Sequence, residues 1–171
     1  GRKLGIVGYG ALGKGVARAA GLALGMDVWV ANRPGGVPHA GRRDLDAMLP
    51  QVDVLSLHCP LTPATQGLLG ARELARMKPD ALLINTARGA LVDSQALADA
   101  LRAGRLGGAA IDVLPQEPPV DGNPLLALDI PNLIVTPHVA WAAREARQRC
   151  LDEMAANVED FARGGHRGRV V

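Results

Sequence analysis

The chain has 171 residues, of which 48% are hydrophobic and only 2% are aromatic, and its net charge is +2. No basic run is interleaved with aromatic residues and no apolar stretch is long enough to cross a bilayer, so neither a nucleic-acid partner nor a membrane protein is expected. The length fits one domain whose core is built from Ala, Leu, Val and Ile.

Apolar runs of strand length alternate with segments of helical spacing along the chain. Strands are predicted at Leu4–Val7, Val28–Ala31, Val54–Leu57, Ala81–Asn85, Gly108–Asp112 and Leu133–Val135. Helices are predicted at Ala11–Leu24, Asp44–Met48, Ala71–Arg76, Asp93–Arg102 and Ala142–Arg163. The strand runs are continuously apolar, which predicts burial on both faces. The alternation is typical of an α/β fold, a Rossmann-type doubly wound parallel sheet with helices on both faces.

A glycine-rich turn connects the first predicted strand to the first helix, whose apolar face is expected to comprise Val16, Ala19, Ala20 and Ala23. In a dinucleotide-binding turn, Gly8 allows the sharp bend, Gly10 the close approach of a pyrophosphate, and Gly13 the packing of helix on strand. The helix N-terminus then presents N–H groups to the phosphates. The candidate cofactor-binding residues here are Gly8, Gly10, Ala11, Leu12 and Gly13. Residues 1–171 are therefore predicted to form one dinucleotide-binding domain.

Polar residues follow the predicted strands at their carboxyl ends, where doubly wound sheets bind their ligands. Further candidate cofactor-binding residues at these ends are Asn32, Arg33, His58, Cys59, Pro60, Thr86, Ala87, Arg88, Asp112 and His138. Glu117 lies a few residues beyond Asp112. The sequence therefore predicts that an arginine, a carboxylate and a histidine lie at one edge of the sheet, beside the nucleotide.

Arg88, Glu117 and His138 together fit the reduction of a 2-keto acid. Hydride arriving at a carbonyl carbon leaves negative charge on the oxygen, so an acid must deliver a proton there, and histidine suits this at neutral pH. A neighbouring carboxylate would orient the imidazole and favour its charged form. An arginine can hold a substrate carboxylate through two charge-assisted hydrogen bonds.

Each of these residues also has a plainer interpretation. Arg88 could pair with a surface carboxylate, Glu117 could be a solvated loop residue, and His138 could cap the following helix. His58 is expected to line the cofactor cleft rather than act as a second acid. Trp141 could be a packing residue or, because it lies close to His138 in the chain, a wall of the substrate pocket.

The two cysteines, Cys59 and Cys150, lie far apart and lack metal-ligand spacing. They are expected to be reduced thiols in a cytoplasmic protein, and no metal site is predicted.

These motifs resemble the D-isomer-specific 2-hydroxyacid dehydrogenases over nearly the whole chain, at residues 8–13, 58–62, 85–89, 112–118 and 136–138. The resemblance implies that Arg88 binds a small 2-keto or 2-hydroxy acid, that His138 is the acid and base, and that Glu117 is its partner. It also implies that Asp112 holds the nicotinamide carboxamide and that Thr65 and Ala140 contact the cofactor. The segment from His138 onward is most similar to the glycerate dehydrogenase and hydroxypyruvate or glyoxylate reductase branch.

The end of the second predicted strand departs from the family pattern, because NAD-preferring members usually carry an aspartate there. This chain has Asn32 followed by Arg33. Without the carboxylate a 2′-phosphate is not repelled, and an arginine can pair with it. NADP(H) is therefore the expected cofactor. The alternative is that Arg33 stacks on adenine and NAD(H) binds as well.

A second departure is that nothing here corresponds to the N-terminal part of the family's substrate domain. The chain is therefore expected to be a fragment that binds cofactor with weak or absent turnover, and the resemblance implies a homodimer through the nucleotide-binding domain. A different class of function is a non-catalytic, corepressor-like module that senses a dinucleotide. An amino-acid dehydrogenase is disfavoured because Lys3, Lys14 and Lys78 lie away from the strand ends.

Overall fold

The structure, a computed structural model, describes residues 1–169. The chain divides into two compact units, a first unit at Gly1–Pro137 and a second unit that begins at His138. Among residues 1–169, no helix is long and apolar enough to cross a membrane.

The first unit is built on a six-stranded sheet with the strand order β2-β1-β3-β4-β5-β6, in which every pairing is parallel. The strands are β1 Lys3–Val7, β2 Asp27–Val30, β3 Val54–Leu57, β4 Leu82–Asn85, β5 Gly108–Ile111 and β6 Leu133–Val135. The order runs outward in both directions from the β1–β3 pair, which is the doubly wound arrangement. The predicted fold class is confirmed.

Helices follow the strands along the chain, and some of their ends are capped by a side chain or a glycine. They are α1 Ala11–Leu24, α2 Leu45–Met48, α3 Ala71–Leu74 and α4 Ser94–Arg102 in the first unit, and α5 Arg144–Ala162 in the second. The Asp93 carboxylate accepts a hydrogen bond from the Ala96 N–H at the start of α4. Gly25 ends α1 with a left-handed backbone. Two short 3-10 turns, Gly89–Leu91 and Pro124–Leu126, were not predicted.

The predicted face of α1 is partly wrong. The buried residues of this helix are Gly13, Ala17 and Ala20, whereas Ala19 and Ala23 are exposed. Spacings of four and three residues from Gly13 keep one stripe against β1, where Leu4 and Ile6 complete a small cluster. The close packing of Gly13 at the start of α1 therefore determines which face of the helix is buried.

Burial on both faces holds for β1 and β3, but Leu82 of β4 is exposed and the two edge strands are not fully buried. Every residue of β2 and β6 is at least partly exposed, since each of these strands has only one neighbour. The core is rich in Ala, Leu, Val and Ile as expected, and Met48 and Met77 are buried in the same cluster.

The second unit consists of a turn at its start followed by α5, none of whose residues is buried. Apolar side chains lie exposed along this helix at Leu151, Met154, Val158 and Phe161.

Candidate cofactor and active site

The glycine turn after β1 lets neighbouring backbone segments pack closely against it. Gly8 has φ of +96°, and a Cβ there would lie 2.5 Å from the Cys59 backbone nitrogen. A Cβ on Gly13 would lie 2.0 Å from the Gly8 carbonyl oxygen, so the helix start packs directly on the turn. Gly10, in contrast, faces open space and begins α1 without a capping side chain. The first N–H groups of α1 can therefore bind an anion, and the turn fits a dinucleotide pyrophosphate.

The segment after β3 forms the opposite wall of this turn. The His58 N–H donates to the Val7 carbonyl oxygen at 2.7 Å, and the His58 Nε2 lies 2.9 Å from the Ser56 Oγ. Burial lowers the pKa of His58, which keeps the ring neutral at physiological pH. Burial raises the pKa of the Cys59 thiol, so this side chain is an apolar, unreactive wall. Both features favour a lining role over acid chemistry.

Thr65 is a buried brace for the loop that follows Cys59. Its hydroxyl donates to the Pro60 carbonyl oxygen at 2.8 Å and accepts from the Thr62 N–H at 2.7 Å. The loop is one side of a cleft of about 640 Å³, whose other side is the segment after β2. This volume is within the usual range of small-molecule sites. The lining residues important here are Arg33, His39, Arg42, Cys59, Pro60 and Thr65.

Arg33 lines this cleft, and Asn32 precedes it in the segment after β2. The Asn32 Oδ1 accepts a hydrogen bond from the His39 N–H at 3.0 Å, and the Asn32 N–H donates to the Arg43 carbonyl oxygen at 2.7 Å. The Arg33 side chain is exposed. Asn32 thus anchors the loop that carries the basic residues, a role that its position in the sequence did not reveal.

The turn after β4 is held by Asn85, a residue that is not among the predicted site residues. Asn85 is fully buried; its Nδ2 donates to the Arg88 carbonyl oxygen at 2.9 Å, and its Oδ1 accepts from the Ala87 N–H at 3.0 Å. Thr86 and the Arg88 side chain are exposed at this turn. The sequence signal for Asn85 is its position at the end of an apolar run, because an amide buried there needs several hydrogen-bond partners.

Arg88 and Glu117 lie on segments that pack against each other. A Cβ on Gly89 would lie 2.0 Å from the Leu114 carbonyl carbon, so only glycine permits this contact. The Leu114 N–H in turn donates to the Glu117 Oε1 at 2.7 Å. The structure therefore brings together the predicted arginine and carboxylate segments.

Asp112 follows β5 and is buried, with only 4% of its surface exposed. The Thr136 hydroxyl donates to the Asp112 Oδ1, and Thr136 is not among the predicted site residues. Thr136 follows the neighbouring strand β6, so the pairing of β5 with β6 sets this bond.

His138, Ala140 and Trp141 belong to the turn that opens the second unit. Within residues 1–169, His138 is the only non-glycine residue with positive φ, at 56°. The Trp141 Nε1–H donates to the His138 carbonyl oxygen at 2.7 Å, although 60% of the Trp141 surface is exposed. A strained backbone at a histidine persists only where its surroundings hold it, and such residues concentrate at functional sites.

The doubly wound sheet, the glycine turn and the cleft beyond the strand ends define a Rossmann-type dinucleotide-binding domain. Residues 1–140 match the model of the D-isomer specific 2-hydroxyacid dehydrogenase, NAD binding domain. The chain belongs to this family.

Relatives at high identity include the glycerate dehydrogenase of Methylorubrum extorquens, 54% identical over 96% of this chain and 51% of that protein. The hydroxypyruvate reductase of Blautia hydrogenotrophica is 39% identical over 96% of this chain and 51% of that protein. A D-isomer specific 2-hydroxyacid dehydrogenase from Lactobacillus delbrueckii, solved in its NAD-complexed form, superposes with a TM-score of 0.85 at 30% identity, over 99% of this chain and 55% of that one. The chain thus spans about half the length of the relatives it matches.

Proposed function

We propose that this chain is the cofactor domain of an NADP(H)-preferring reductase of small 2-keto acids, with hydroxypyruvate and glyoxylate as the preferred substrates. The observation that carries the proposal is the packing of the Arg88 turn on the Glu117 segment, which Gly89 permits. Similarity to a glycerate dehydrogenase and a hydroxypyruvate reductase supports the substrate class.

In this proposal the bound nicotinamide supplies a hydride, and residues of this chain manage charge and protons. Arg88 binds the substrate carboxylate through its guanidinium fork. His138 delivers the proton that the carbonyl oxygen needs as negative charge develops there, and Glu117 orients the imidazole. Asp112, held by Thr136, accepts a hydrogen bond from the nicotinamide carboxamide. Trp141 forms a wall of the substrate pocket.

The test is NADPH oxidation by the complete protein, substrate domain included, with hydroxypyruvate, glyoxylate or pyruvate as the substrate. We expect the first two to be reduced with the highest kcat/KM, measured from the loss of NADPH absorbance. Failure to oxidise NADPH or NADH with any 2-keto acid would favour the dinucleotide-sensing module instead.

The preference for NADP(H) rests on the segment that follows β2. Residues 32–43 contain no Asp or Glu, and Arg33 and Arg42 line the cleft. A carboxylate at position 32 would bind the ribose hydroxyls of NAD(H) and repel a 2′-phosphate. Asn32 has neither effect, which leaves the phosphate free to pair with Arg33.

Two substitutions are expected to move this preference towards NADH. Arg33→Gln should weaken NADPH binding by about 10–100-fold, since a charge-assisted hydrogen bond contributes about 1.5–3 kcal/mol. Asn32→Asp should weaken NADPH binding and strengthen NADH binding, because an aspartate oxygen can still accept the His39 N–H bond. Dissociation constants from quenching of Trp29 fluorescence report both effects. The exposed Arg105→Gln is the matched control, and an unchanged NADPH affinity in Arg33→Gln would contradict the assignment.

We extend the proposal to a homodimer formed through the first unit and to a cytoplasmic location. Leu12 and Leu22 are 77% and 78% exposed on α1, with the small residues Gly15 and Ala19 between them. An exposed apolar face of this kind supports contact with another chain. The two cysteines, Cys59 and Cys150, are both unpaired, which supports a reducing compartment.

A further inference from the structure

The loop at residues 33–43, here called the basic loop, carries more positive charge than one phosphate-binding arginine. It contains Arg33, His39, Arg42 and Arg43 and lacks acidic residues. A cleft wall of one sign concentrates the opposite charge, so the loop favours an anionic ligand.

The basic loop is held in one shape by its own hydrogen bonds. The Gly36 N–H donates to the Arg33 carbonyl oxygen at 2.9 Å, and the Arg42 N–H donates to the His39 carbonyl oxygen at 3.0 Å. The Asn32 side chain fixes the middle of the loop, and the Arg43 N–H donates to the Val30 carbonyl oxygen at 2.9 Å at its end. A loop ordered before the ligand arrives loses less entropy on binding.

The two adjacent arginines at the end of the loop have different surroundings. The Arg43 guanidinium lies 3.6 Å from the Trp29 ring centroid and does not line the cleft. Arg42 does line the cleft, and its guanidinium lies 5.9 Å from the ring centroid of Tyr9, which stands between Gly8 and Gly10. A cation at this distance from an aromatic face is still attracted to it. Tyr9 therefore links the basic loop to the glycine turn.

We infer that Arg42 is a second binding residue for the 2′-phosphate of the cofactor and that Tyr9 positions it. This inference rests on the proposed preference for NADP(H). Arg33 at the start of the loop and Arg42 at its end both line the cleft, so both are available to one phosphate bound there. The cofactor diphosphate is the other anion within reach of this wall, so the experiment must separate the two phosphates.

The 171-residue chain is titrated calorimetrically with 2′,5′-ADP and with 5′-AMP, which differ only by the 2′-phosphate. Arg42→Gln is expected to weaken 2′,5′-ADP by about 10-fold, the effect of one charge-assisted hydrogen bond, and to leave 5′-AMP within about twofold. Arg43→Gln is the matched control, with Arg18→Gln as a second control if loss of the Trp29 contact lowers Tm. Unchanged 2′,5′-ADP binding in Arg42→Gln, or equal weakening of both ligands, would overturn the inference.

The Arg33→Gln variant distinguishes a failure of the role inferred for Arg42 from a failure of the proposed NADP(H) preference. If Arg33→Gln weakens 2′,5′-ADP and Arg42→Gln does not, only the inference fails. If the unmodified chain binds 2′,5′-ADP no more tightly than 5′-AMP, the NADP(H) preference fails and the inference fails with it.

The positioning role of Tyr9 is tested by comparing a variant that keeps the aromatic ring with one that removes it. Tyr9→Phe keeps the aromatic face and should bind 2′,5′-ADP as the unmodified chain does, whereas Tyr9→Leu should weaken it several-fold. In the double variant with Arg42→Gln, the loss from Tyr9→Leu should become smaller, because two residues that act through one contact are not additive. Any loss that remains reports the Lys14 Nζ, which also lies 5.9 Å from the Tyr9 ring centroid. Additive losses would show that Tyr9 acts independently of Arg42.

Discussion

Replacing His138 by Ala in the complete protein is expected to lower kcat for 2-keto acid reduction by about 10²–10⁴-fold, the usual contribution of a general acid. The affinity for NADPH should change by less than about twofold, because the glycine turn and the cleft that hold the dinucleotide belong to the first unit. Steady-state kinetics and a cofactor titration on the same preparation measure the two quantities.

His166→Ala is the matched control, since this second histidine of the second unit is also exposed but belongs to none of the site motifs. Tm should be measured for both variants, because a positive φ at position 138 strains alanine as well as histidine. Surviving turnover in His138→Ala would mean that another group is the acid.

Replacing Arg88 by Gln is expected to lower kcat/KM by about 10²-fold or more, because two charge-assisted hydrogen bonds to the substrate carboxylate are lost. Arg88→Lys should recover only part of this loss, since an ammonium keeps the charge but lacks the planar fork. Neither change should reduce stability much, because the buried Asn85 holds the turn through the Ala87 N–H and the Arg88 carbonyl oxygen, and the Arg88 side chain adds only an exposed hydrogen bond to the Ala87 carbonyl oxygen.

The same assay with Arg105→Gln controls for the loss of a surface arginine. Comparing the kinetics of 2-keto acids with those of a carboxamide analogue would report recognition of the substrate carboxylate directly. The unmodified protein should discriminate strongly between acid and amide, and Arg88→Gln should not. Equal discrimination in both would assign carboxylate binding to another residue.

Most of the fold could be predicted from the chain, since the hydrophobic period and glycine positions are local signals. The six strands and five helices fall within a few residues of their predicted bounds. The 3-10 turn at Gly89–Leu91 and the buried face of α1 differ from the prediction because they depend on contacts outside the element itself. Gly89 packs on Leu114, and Gly13 packs on the turn at Gly8. The hydrophobic periodicity of a segment does not specify which other segment its apolar face will pack against.

For the candidate site, the sequence by itself determined the types of chemical group and the strand ends to which they belong. Arg88, Glu117 and Asp112 could be assigned to one edge because parallel strands all end there. Only the tertiary structure revealed that Asn85 supports the Arg88 turn, that Thr136 bonds Asp112 and that the Asn32 side chain holds the basic loop. It also distinguished Arg42 in the cleft from Arg43 on Trp29. The physical reason is that covalent order sets the strand an atom follows, whereas a hydrogen-bond or ring partner depends on which distant segment packs beside it.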